Sequence, residues 1–96
     1  MPAVVGKAIA EGGKRPLTWV SGKAVKSTEH KSAWYVAGRV KDTAGEVTGV
    51  WAVSALDGMG SVQSVDGFAE QFTNWPKTDA FSLRDEGARA AKGCLG

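Results

Sequence analysis

Two β-rich runs separated by a short turn form the middle of this 96-residue chain. The runs read SAWYVAGRVK (32–41) and EVTGVWAVSAL (46–56), and the turn between them, Asp42 to Gly45, ends in glycine. β-Branched and aromatic residues on both sides of a Gly-containing turn are typical of a β-hairpin. The pattern predicts an antiparallel sheet at the centre of the fold, and it accounts for the Trp and Val residues here without any functional role.

Side-chain alternation within the two runs predicts which residues share a face. The first run divides into two sets, with Trp34, Val36 and Val40 on one face and Tyr35, Arg39 and Lys41 on the other. Gly38 shares the apolar face, where we expect it to leave room for an aromatic ring. Apolar residues occupy both faces of the second run, which predicts a central strand with Trp51 in the core.

The chain outside the hairpin predicts further strands and helices. It divides into a short N-terminal helix or frayed segment (1–13), the sheet (17–65) and two helices (66–95). Alternation changes at Gly22, which predicts a bulge there, and Asp66 is placed to cap the helix that follows it. We therefore expect a single α+β domain over residues 1–96, in which an antiparallel three- to four-stranded meander carries helices packed on one face.

Charge is spread unevenly along the chain, although the net charge is only +2. Residues 1–50 have a balance of +4, whereas residues 51–96 have a balance of −2. This asymmetry is consistent with a basic face for an acidic partner, but lysines that coat the solvated face of a sheet explain it more simply. The charge density is far below that of a typical nucleic-acid-binding domain.

The sequence contains no recognisable catalytic set. Cys94 and His30 are single residues of their type, so we predict no disulfide framework, no metal site and no cofactor. The chain is therefore expected to be non-enzymatic. No apolar run approaches the length of a membrane span, and the start of the chain lacks the apolar region of a signal peptide. Met1 can equally follow a removed leader or anchor.

Tyr35, Arg39 and Lys41 are the predicted binding residues. If the helices cover the face of Trp34, the opposite face is open and carries an aromatic ring beside two cations. Such a surface suits carboxylates or phosphates. Two alternatives stay open: a plain solvated sheet face, and a single-stranded nucleic-acid-binding domain in which aromatic rings stack on bases.

The stretch from Val36 to Gly45, VAGRVKDTAG, followed by SVQSVDGFAEQFTNWP, resembles small exported or envelope-anchored bacterial domains of unknown function. Those domains often carry a V-x-G-x-V-K-[DN]-x-x-G strand pair, and the similarity covers residues 32–76. The resemblance implies an interaction module with a protein partner, in a bacterial envelope or secreted assembly, and it implies no catalytic residues. An exported or envelope location is thus expected ahead of a cytoplasmic one.

Overall fold

The computed structural model describes residues 3–14, 16–27, 33–43, 45–56, 60–77, 81 and 86–94. Its helices and strands, in chain order, are α1 (Ala3–Glu11), β1 (Thr18–Lys26), β2 (Trp34–Asp42), β3 (Gly45–Val53), β4 (Val62–Ser64), α2 (Gly67–Phe72) and α3 (Glu86–Cys94). The α+β class is therefore confirmed. Within these residues no helix is both long enough and apolar enough to cross a bilayer.

The four strands pair in sequence order, β1-β2-β3-β4, and each pairing is antiparallel, so the predicted meander is confirmed. Asp42 lies opposite Gly45 where the β2–β3 hairpin closes. The Gly45 φ of 141° suits glycine, and its N–H donates to Asp42 Oδ1 at 3.1 Å. The bulge of β1 lies between Trp19 and Ser21, not at the predicted Gly22, which pairs regularly with Gly38.

One face of the sheet packs against α1 and α2. Its core combines buried residues from the sheet and from both helices, namely Val5, Ile9, Val36, Val40, Trp51, Val53, Val62 and Ala69. Trp51 is fully buried, which confirms the prediction made from its place in a central strand. Val36 and Val40 belong to this core, as their alternation in β2 predicts.

The opposite face packs against α3, which corrects the expectation that the helices share one face. The core there consists of Tyr35, Ala37, Val50, Ala52, Val65, Ala88 and Ala91. Helix α3 approaches closely because its contact residues are small, and a Cβ atom on Gly87 would lie 2.8 Å from Tyr35 Cδ2. Alternation shows which residues share a face but not whether a helix covers it. The alanines and glycines of α3 mark a buried helix face less clearly than leucines would.

The ring of Trp19 lies against glycines of three different elements. A Cβ atom at Gly6 of α1, Gly22 of β1 or Gly38 of β2 would overlap the indole. The predicted role of Gly38 in making room for an aromatic is thus confirmed. Since no side chain intervenes, a single indole joins α1 to the first two strands.

Helix α2 is tied to the sheet by hydrogen bonds. Asp66 caps the helix as predicted, and its Oδ1 accepts from the Ala69 N–H at 2.8 Å. The Thr73 hydroxyl, just after the helix, donates to Ala69 O at 2.6 Å and accepts from Trp51 Nε1 at 3.2 Å. The buried indole N–H therefore has a partner, and the end of α2 is fixed over β3.

Candidate binding surface

Tyr35, Arg39 and Lys41, the predicted binding residues, share a face of β2 but differ in exposure. Tyr35 is 0% exposed. Helix α3 covers it, and Phe81 packs edge-on against its ring with centroids 5.8 Å apart. The expectation that Tyr35 is exposed is therefore wrong, because α3 occupies its end of the face. Arg39 is half-buried and Lys41 is exposed.

The part of this face beyond α3 is open, and we call it the basic end of the sheet. It is formed by side chains of three strands that are exposed or half-buried, namely Thr18, Ser21, Lys23, Arg39, Lys41, Glu46 and Thr48. Cross-strand pairing aligns Arg39 with Ser21 and Thr48, and aligns Lys41 with Thr18 and Glu46. Paired residues of antiparallel strands project from the same face, so these groups form one continuous surface.

Lys23 is a cation of this surface that lay outside the predicted site. It pairs with Ala37 and is therefore the diagonal neighbour of Arg39, a relationship that separates two residues by about 7–8 Å. Simple alternation counted from Trp19 would place Lys23 on the same face as Trp19. The bulge at Val20 shifts the remainder of β1 by one residue and brings Lys23 to the opposite face, beside Arg39. The irregular alternation of β1 is the sequence signal that could have revealed this position of Lys23.

The basic end combines three cations with one carboxylate. Lys41 lies opposite Glu46, and Lys23 lies opposite Ala37. The hydroxyls of Ser21 and Thr48 add hydrogen-bonding groups between the charges. An anionic group placed here can form charge-assisted hydrogen bonds, which are stronger than bonds between neutral groups.

Two open clefts lie elsewhere in the described structure. One, of about 440 Å³, lies where α1 leads into β1 and is bordered by Lys7, Glu11 and Lys14. The other, of about 360 Å³, lies between α2 and α3 beside Phe68, which is 53% exposed. Asp66, the buried carboxylate at the second cleft, is occupied in capping α2. Neither cleft offers a set of side chains arranged for a reaction.

Among the residues that the structure describes, no group of three His, Cys, Asp or Glu side chains is placed to hold a metal ion. His30 lies outside the described residues. Comparison with known proteins found no relative, since no protein-family model, no curated protein and no solved structure matches the chain. The geometry of the basic end is therefore the basis for a functional interpretation.

Proposed function

We propose that this protein is a non-enzymatic interaction module that binds an acidic segment of a protein partner at the basic end of the sheet. The proposal is carried by the placement of Lys23, Arg39 and Lys41 together on the open part of one sheet face. The paired backbones of β1 and β2 fix the spacing of these cations before a ligand arrives. A ligand therefore meets a preorganised surface, which lowers the entropic cost of binding.

Single-stranded nucleic acid is the alternative ligand. It was favoured by an exposed aromatic ring beside the cations, and the basic end has no such ring among the described residues. Binding of unpaired bases relies on aromatic side chains that stack on them. Tyr35 is buried beneath α3, while Trp19, Trp34 and Trp51 belong to the opposite face. Within the described residues, the basic end offers charge and hydroxyl groups without a stacking ring, which favours carboxylates over bases.

Fluorescence anisotropy with a labelled heptapeptide in which Glu alternates with Val tests the proposal. The wild-type protein should bind the peptide, and the affinity should fall as salt is added. The Lys23→Gln, Lys41→Gln double variant should bind roughly two- to thirtyfold more weakly, because two exposed ion pairs together contribute about 0.4–2 kcal/mol. Arg39 is left unchanged because it is half-buried.

A matched double variant, Lys7→Gln with Lys77→Gln, removes the same charge from exposed positions on α1 and beyond β4. It should bind the peptide as the wild type does. An equal loss in both double variants would contradict the proposal, since net charge alone would then explain binding. Tighter binding of a single-stranded oligonucleotide of equal charge, lost in the Lys23 and Lys41 variant, would assign the surface to nucleic acid instead.

A further inference from the structure

The two edges of the sheet differ in what lies beside them. After α2 the chain returns along β4, where Lys77 forms a parallel bridge with Ser64. The Ser64 N–H donates to Pro76 O at 2.8 Å, and its hydroxyl donates to Trp75 O at 2.7 Å. The chain itself thus occupies this edge at Ser64.

The edge formed by β1 has a strand on one side only, within the described part of the chain. Strand β1 pairs with β2 on one side, and no described strand or bridge pairs with its other side. From Ser21 to Val25 its register with β2 runs without interruption. This regular stretch matches the length of a typical strand, about 5–6 residues, so it can accept one more strand.

The charges of β1 indicate which occupant fits this edge. Lys23 projects on the α3 face and Lys26 on the other, where its Nζ lies 5.6 Å from the Trp34 ring centroid. Strand β1 contains no Asp or Glu. A second copy of β1 would bring further lysines to the same edge, and lysine on an edge strand opposes self-pairing. An acidic strand is attracted by Lys23.

We propose that the acidic partner binds as an extended strand added to the outer edge of β1 between Ser21 and Val25. This inference rests on the proposed function and specifies its binding mode. Backbone hydrogen bonds to the outward-facing amide groups of β1 supply affinity, while side chains on one face of the added strand lie beside Lys23. The basic end then continues from the partner strand across β1 to β2.

Amide hydrogen exchange measured by NMR, with and without the unlabelled Glu-Val heptapeptide, tests the binding mode. In a strand, successive N–H groups point to opposite edges, so the peptide should slow exchange at alternate residues from Ser21 to Val25 by about tenfold or more. A heptapeptide in which Gln replaces Glu is the matched control and should give no protection at the same concentration.

Two versions of the peptide, N-methylated at either the Glu or the Val positions, add a second measurement. Only one set of amides can face β1, so their affinities should differ by about tenfold. Binding that depends on Lys23 and Lys41 without alternating protection, and with equal affinity of the two methylated peptides, would overturn strand addition while leaving the proposed function intact. Absence of peptide binding would overturn both. Protection of β1 in the free protein that rises with protein concentration would assign the edge to a second copy.

Discussion

Trp19 and Trp51 pack against each other with ring centroids 5.9 Å apart and ring planes inclined by 54°. Trp19 comes from the edge strand β1, and Trp51 comes from the central strand β3. Each ring lies over a glycine of the sheet, Trp19 over Gly38 and Trp51 over Gly49. The pair therefore spans three strands in one apolar contact, and changes beneath either ring should reduce stability.

Gly38→Ala should lower the free energy of unfolding by about 1–3 kcal/mol, because the added methyl group overpacks a filled site. The methyl group would overlap the Trp19 ring. Urea unfolding followed by tryptophan fluorescence measures the change. Gly67→Ala is the control, since no atom of the described residues lies within 4 Å of its Cβ position, and it should not lose stability. A Gly38→Ala protein as stable as wild type would contradict the packing of Trp19.

Thr73→Val should destabilise the protein by about 1–3 kcal/mol, because it leaves a buried N–H group without its acceptor. The group is Trp51 Nε1, which donates to the Thr73 hydroxyl at 3.2 Å. Thr73→Ser keeps the hydroxyl and should retain most of the stability. Thermal unfolding of both variants distinguishes loss of the hydrogen bond from loss of a methyl group, and similar losses in the two would argue against the hydrogen bond.

Tyr35→Ala should cost about 3–5 kcal/mol, as expected when a large buried side chain is truncated. The ring contributes to the core beneath α3 and contacts Phe81. Near-ultraviolet circular dichroism and urea unfolding report the loss. Phe68→Ala provides the comparison, because Phe68 is 53% exposed and its removal should change stability far less. Equal effects would mean that α3 does not cover Tyr35.

Asp66→Ala should reduce stability by about 0.5–2 kcal/mol, the usual effect of losing a helix N-cap. The carboxylate accepts the Ala69 N–H at 2.8 Å. Faster amide exchange within α2 should accompany the loss. Asp66→Asn retains a side-chain oxygen and should behave nearly as wild type. If the alanine variant exchanged no faster in α2 than wild type, the cap would have no stabilising role.

Local sequence patterns were sufficient for the features that depend on neighbouring residues. The hairpin closed by Asp42 and Gly45, the core position of Trp51 and the cap at Asp66 follow from turn chemistry, alternation and capping preferences. Contacts between distant segments could not be predicted in this way. Trp75 Nε1, for example, donates to Ile9 O at 2.9 Å across 66 positions of sequence, and no local pattern encodes that bond.

The basic end was predictable only in part for the same reason. Alternation within β2 placed Arg39 and Lys41 on one face, and the structure keeps them there. The coverage of Tyr35 depends on α3, whose first residue lies 51 positions later in the chain. The position of Lys23 depends on the register of β1 against β2, which the bulge at Val20 sets.

The return of the chain along β4 has a consequence for stoichiometry. A sheet that is open at both edges can accept a strand at each and grow into a filament. Here the bridge between Lys77 and Ser64 occupies the outward-facing backbone of Ser64, so a strand added beside β4 would first have to displace it. The two edges of the sheet are therefore not equivalent, and we expect one bound strand for each protein chain, at β1.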